Sequence, residues 1–197
     1  MPNSGRLQEL LVPGARIWAS AGLGPKRRTQ WNLALVEIGS TLVSVDSRHA
    51  NQLAGALLSS GSTRFAVPHG GWRAEIPWGA SRFDFGRDAA DGRWLLEIKC
   101  VTLVQDSVAR FPDAPTVRVT RHVRELTALA LDGARTGVFF LIQRGDAQWL
   151  EPNDRGDPVF GAALRSAAAA GVMVRAYTCE VRVEGLKLDR EVPVILS

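Results

Sequence analysis

The run Gly137-Val-Phe-Phe-Leu-Ile-Gln143 carries no charge and shows no alternation of polar with apolar residues. Alternation marks a strand that is wet on one face, and its absence marks a strand covered on both. The flanking sequence supplies helices to do the covering. Val117–Leu131 has helical spacing and ends at Gly133, and Pro158–Ala170 is a second helix with Asp157 as its cap and Gly171 as its stop. Val172–Tyr177 reads as a further short strand. Upstream, Ser81–Phe85 and Trp94–Leu103 read as strands joined through an Asp91-Gly92 turn. From residue 81 the order is therefore β-β-α-β-α-β. A hairpin followed by crossovers predicts a mixed sheet flanked by helices, an α/β (α+β) fold.

The first part of the chain has a different texture. Ala15–Ala19, Trp31–Ile38 and Thr41–Val45 read as short strands, with a Gly39-Ser40 turn between the last two. The loop Gly22–Arg28 holds the densest positive run, Lys26-Arg27-Arg28. Ser47–Ser59 reads as a helix capped by Ser47, and the stretch around Pro68, Gly70, Gly71 and Trp72 reads as loop. This predicts a small β-rich unit over residues 1–46 and a main domain over 47–197.

Composition bounds the function. Hydrophobic residues make up 46% and charged residues 22%, which excludes a disordered chain. The net charge is +4, and 21 of the 24 basic residues are arginine. Arginine's planar fork suits phosphate, although a GC-rich gene gives the same excess. Two cysteines far apart, without a Cys-x-x-Cys pair, argue against a zinc site and for a reduced, cytoplasmic setting. The start lacks the pattern of a signal peptide, and no apolar stretch approaches 18 residues, so no membrane partner is expected.

Three residues carry candidate chemistry. In Ser81–Phe85 alternation puts Phe83 and Phe85 on one face and Arg82 and Asp84 on the other. In Trp94–Val101 it puts Leu96, Ile98 and Cys100 on one face and Glu97 and Lys99 on the other. Pairing the strands brings Asp84, Glu97 and Lys99 together as a catalytic set. Asp84 and Glu97 would hold Mg²⁺ or Mn²⁺, with the Ile98 carbonyl as a further ligand, and Lys99 would orient the attacking water. The spacing, Asp then 13 positions to Glu then x-Lys, resembles that of the PD-(D/E)XK nuclease superfamily. Spacing alone also fits a cross-strand salt bridge on a solvated face. The triad's place among apolar residues weighs against that, because unpaired charge is costly there.

Longer blocks resemble the sugar fermentation stimulation protein (SfsA) family. They are Ser81–Phe85, Glu97–Leu103, Phe111-Pro112-Asp113-Ala114 and His122–Leu126, in the family's order, with looser matches at Lys26–Arg28, Trp31 and Ala50-Asn51. The resemblance implies an OB-like unit followed by a PD-(D/E)XK restriction-endonuclease-like domain. It also implies binding of DNA with little sequence preference, and a regulatory part in sugar (maltose) metabolism. Asp84, Glu97 and Lys99 fall on the metal-site block, and Glu75 on a Glu of the preceding block. The family's opening blocks have no counterpart here, and three strands are fewer than an OB barrel's five, so the OB-like unit is expected to be incomplete. Pro77 stands for a family Lys, and Thr120 stands where the family has Gln.

Supporting residues follow. Arg118, Arg121 and Arg124 form a stripe on one helix, suited to phosphates or equally to solvent, with Arg121 able to pair Glu125. His122 is a packing residue or a group touching phosphate or metal water. Asp113 is a loop-ordering residue or a third carboxylate. Arg82 joins the nucleic-acid set, and Lys26, Arg27 and Arg28 beside Trp31 suit a single strand. The leading expectation is a DNA-binding protein with a divalent-metal nuclease site. The alternative is a non-catalytic DNA-binding regulator with a relic site, and a hydrolase acting on other substrates or a structural protein comes third.

Overall fold

The computed structural model describes residues 3, 5–22, 29–90 and 92–197. Three antiparallel strands open it: β1 (Arg16–Ala21), β2 (Trp31–Ile38) and β3 (Thr41–Ser44), in the spatial order β1-β2-β3. Val36, Val43 and Val45 bury one side of this sheet against Leu7 and Leu10. Helix α1 (Arg48–Ser59) follows. Ser47 occupies its N-cap position without a side-chain cap bond, and the Arg48 N–H donates instead to the Asp46 carboxylate at 3.0 Å.

The stretch expected to be loop contains strand β4 (Arg73–Trp78). Strands β5 (Ser81–Ala89) and β6 (Gly92–Val101) form the expected hairpin, whose turn residue Asp91 lies outside the described residues. Then come β7 (Val104–Gln105), β8 (Val108–Phe111), α2 (Val117–Leu131), β9 (Arg135–Ile142), β10 (Trp149–Pro152), α3 (Pro158–Ala169), β11 (Met173–Arg182) and β12 (Gly185–Val192). Strand β11 runs five residues beyond its expected end at Tyr177, and β12 was not expected.

The main sheet has the order β12-β11-β9-β6-β5-β4. Its centre, β6-β9-β11, is parallel, and both edges are antiparallel. Strand β9 is the apolar run, and it is buried from Thr136 to Ile142. Val138, Phe140 and Ile142 face a core that Val123 and Leu126 of α2 and Phe160 and Leu164 of α3 complete. Phe139 and Leu141 face the opposite core, closed by Ala50, Ala54 and Leu58 of α1. Thr116 caps α2 and Asp157 caps α3, each accepting from the N–H three residues on. No helix among the described residues is long and apolar enough to cross a membrane.

One expectation about facing is corrected. Phe83 packs in the α2–α3 core and Phe85 in the α1 core, so the two do not share a face. The alternation breaks at the residue between them. Phe85 pairs with Ala74 and Leu96, and Phe83 pairs with Ile76, while the β4–β5 pairing omits Asp84 and the β5–β6 ladder stops at Phe85. Opposite it in β4, Glu75 has a left-handed φ of 61°. Leu96 and Ile98 do share the α1 face as expected, with Cys100 packed against the same core.

Candidate active site

The β5–β6 ladder ends at Phe85–Leu96, and Asp84 sits just past that end. Its carboxylate takes the place of the missing ladder bond. One oxygen accepts from the Ile98 N–H at 2.7 Å, and the other accepts from Asn51 Nδ2 of α1 at 2.7 Å. A side chain at a break in a ladder can thus satisfy the backbone and still reach into the space the break opens.

Glu97 is buried, with 3% of its surface exposed. Its Oε1 receives Lys99 Nζ at 2.5 Å from the same strand, and His122 Nδ1 at 2.7 Å from α2. An ionised carboxylate is an acceptor only, which assigns the Nδ1 proton to His122. The other oxygen, Oε2, is buried with no hydrogen-bond partner among the described residues.

The two carboxylates are driven apart electrostatically. Burial, and then the charge of Glu97, push the Asp84 carboxyl up to about 6 against the pull of Lys99, Ile98 N–H and Asn51. Burial also works to raise Glu97. The His122 hydrogen bond and the Lys99 charge outweigh it and hold Glu97 below its ordinary value. One buried anion is therefore firmly ionised, and its neighbour is destabilised by it.

These groups line a cleft of about 290 Å³. Asn51 lines it from α1, Ile98 and Lys99 from β6, and Arg110 from β8. The Asp113 loop, Arg118 at the start of α2, and Asn3 and Gly5 from the N-terminal segment complete the walls. The Asp113 carboxylate accepts from the Arg6 N–H at 2.8 Å, so it ties that segment down.

Other expected residues lie elsewhere. Glu75 pairs with Arg82 at 2.6 Å, both of them well exposed, and neither lines the cleft. Arg121 and Arg124 are exposed on α2 beyond the cleft wall, and Arg121 stands 3.8 Å from Glu125. Trp31 is 62% exposed on β2. Lys26, Arg27 and Arg28 lie outside the described residues. Asn51, Arg110 and the Asn3–Arg6 segment had no assigned role in the sequence. The sole sequence signal was the Ala50-Asn51 match, which carries no indication of a partner 33 residues away.

Among the described residues no group of three or more acidic, His or Cys side chains is placed to hold an ion together, which leaves two carboxylates and a main-chain segment. Magnesium-like ions are held this way, by one or two carboxylates with several waters kept. The buried, unpartnered Glu97 Oε2 beside a carboxyl that its charge disfavours fits a hard divalent cation better than it fits an empty cleft.

Known proteins match along the whole chain. The model of the sugar fermentation stimulation protein RE domain matches residues 48–185, and that of the SfsA N-terminal OB domain matches residues 1–45. A sugar fermentation stimulation protein homolog from Carboxydothermus hydrogenoformans is 43% identical over 197 residues, covering 100% of this chain and 86% of the relative. One from Acetivibrio thermocellus is 42% identical over 200 residues, covering 100% and 86%. The structure of Pyrococcus furiosus SfsA in complex with Ca²⁺ superposes with a TM-score of 0.87 at 28% identity, over 99% of this chain and 84% of that one.

Proposed function

This chain belongs to the sugar fermentation stimulation protein family, and we propose that it is a cytoplasmic DNA-binding protein that cuts phosphodiesters with a divalent cation held by Asp84 and Glu97. The observation that carries the reading is Glu97 Oε2, an anionic oxygen buried without a partner at the wall of a cleft. Leaving such a group unpaired is costly, and a hard cation removes the cost. The Pyrococcus furiosus relative was solved with Ca²⁺, which shares the preference for oxygen ligands. Two free cysteines buried or half-buried in the α1 core suit a reducing compartment.

Each residue then has a task. Asp84 and Glu97 would hold Mg²⁺ or Mn²⁺, with Ile98 beside them. The bound ion would supply charge stabilisation at a phosphate oxygen. His122 fixes the Glu97 carboxylate so that Oε2 is the free atom. Lys99 places an ammonium at the cleft, where it can orient a nucleophilic water and offset charge on the phosphate. Arg110 and Arg118 offer positive charge to flanking phosphates. A binding-only reading draws on one fact, the closure of Lys99 onto Glu97.

Calorimetry with Mn²⁺ and a DNA cleavage assay separate these. Wild type should bind Mn²⁺ and cut, Glu97→Ala should lose both, and Lys99→Ala should bind the ion while losing at least about a hundredfold in cutting. Unchanged Mn²⁺ binding in Glu97→Ala sinks the metal assignment. Equal background cutting by wild type and Lys99→Ala leaves the binding-only reading.

A further inference from the structure

We propose that Asn51 is a positioning residue for the cation of this site, holding the Asp84 carboxylate still through a neutral donor while leaving its charge to the metal. The proposal rests on the site assigned above and adds to it an uncharged residue of α1. Asp84 stands past the end of the β5–β6 ladder, so pairing with β6 does not fix it. Two donors from different elements hold its carboxylate instead. The Ile98 N–H reaches Oδ2 at 2.7 Å from β6, and Asn51 Nδ2 reaches Oδ1 at 2.7 Å from α1. An ionised carboxylate only accepts, which turns the NH₂ edge of the amide toward Asp84. Each carboxylate oxygen has two acceptor positions, so one N–H apiece leaves room for a further partner.

The helix is set close enough for so short a side chain to reach. Ala50, Ala54 and Leu58 bury α1 in the core it shares with Phe85 and Leu96. Gly55 lies four residues after Asn51, on the same side of the helix. A Cβ added to it would stand 3.3 Å from the Phe85 ring, next in sequence to Asp84. Glycine weakens a helix interior, so its place here has a packing reason: it lets α1 lie close against β5. Of the residues of α1, Asn51 is the one that lines the cleft.

The two carboxylates are held by donors of different kinds. Glu97 Oε1 takes the Lys99 ammonium and the His122 imidazole. Asp84 takes two amide N–H groups, and no cationic side chain among the described residues is bonded to it. A guanidinium or ammonium in place of Asn51 would satisfy Asp84 equally well. It would also cancel the charge and repel a divalent ion. An amide orients the carboxylate by its dipole and leaves the net charge of the cleft unchanged. Without that donor Asp84 is held on one side only, and repulsion from Glu97 favours turning it away. A ligand already held in one orientation binds an ion without first losing that freedom.

Two measurements test this without any cutting, in mildly alkaline buffer so that protonation of Asp84 does not enter. Asn51→Leu keeps the branched shape and loses the donor, and Asn51→Ala takes its place should the leucine protein not fold. Without metal, amide exchange followed by NMR should speed up about fivefold or more at Ile98, whose acceptor is no longer held, while the amides of β9 keep their rates. By calorimetry, Mn²⁺ should bind about 10–100-fold more weakly than to wild type. Asn51→Gln returns the amide on a longer stem and should recover part of both. A residue that only packs the helix would lower the melting temperature and move neither quantity. In a folded variant, an unchanged Ile98 rate relative to β9 or an unchanged Mn²⁺ affinity overturns the proposal. Wild-type protein that binds no Mn²⁺ defeats the metal assignment itself, and the Ile98 rates still decide whether Asn51 holds Asp84.

Discussion

Asp84 holds a conflict that its neighbours do not resolve. Burial first, and the Glu97 charge second, raise its carboxyl from an ordinary 3.8 to about 6. A folded-state value above the unfolded one means that the native protein binds this proton more tightly. Its contribution to stability is therefore fully present below about pH 4 and is lost as pH rises through about 6. The shift corresponds to something on the order of 3 kcal/mol. Asparagine at this position keeps an acceptor for the Ile98 N–H and carries no charge. In metal-free buffer, the melting temperature of Asp84→Asn should exceed that of wild type at neutral pH by several degrees, and the gap should close near pH 4. Thermal melts of both proteins across that range check it. A gap that widens toward acid would reverse the sign and remove the charge conflict from the account. Added Mn²⁺ should stabilise wild type and leave the variant nearly unmoved.

Helix α2 acts as an element by delivering His122 to Glu97. Its apolar side, Val123, Leu126 and Leu129, docks the helix on the sheet, and His122 is buried on that docked side. The Phe83 ring meets its imidazole edge-on at 6.1 Å. Residues that orient a metal ligand typically alter affinity by about 10–100-fold when removed. His122→Ala should weaken Mn²⁺ binding by that much, and His122→Asn, which retains a donor, should recover part of it. Calorimetry decides, and equal affinities for wild type and alanine variant would reduce His122 to a packing residue. At this scale the sequence was legible wherever burial was strong. The run Gly137–Gln143, the face of Leu96 and Ile98, and the helices around them are periodic because each must meet a core. The edges hid themselves. Strand β4 carries Pro77, and β12 carries Lys187, Asp189, Arg190 and Glu191. Proline and dense charge are how edge strands avoid pairing with other chains, so they read as loop. The turn of Phe85 away from Phe83 was hidden for another reason. It depends on a broken ladder at Asp84, which no local pattern records. His122 was readable as buried, but its bond to a residue 25 positions earlier is a product of docking.

At the scale of the whole molecule, a buried glutamine just past the end of β9 is one of the links between the N-terminal sheet and the larger sheet. The Gln143 N–H donates to the Val101 carbonyl at 2.8 Å, and its own carbonyl accepts from the Ser44 N–H at 3.0 Å. Its side-chain Nε2 donates to Ser44 Oγ at 2.8 Å and to the Asp46 carbonyl at 3.1 Å, while Oε1 accepts from the Cys100 thiol. Gln143 is fully buried, so water cannot replace these bonds. Leucine has nearly the same volume and none of the donors. In Gln143→Leu, Ser44 Oγ, the Asp46 carbonyl and the Cys100 thiol each lose a partner, at about 1–3 kcal/mol for a buried group left unsatisfied. The loss falls on the junction, because β2, β3 and their core of Leu7, Leu10, Val36 and Val43 contain no residue of the larger sheet. The variant should therefore show reduced hydrogen-exchange protection in β2 and β3 at temperatures where β6 and β9 remain protected, with calorimetric melting broadened toward two steps. A single sharp transition, with β2 and β9 losing protection together, would show that the two sheets are coupled by something other than Gln143.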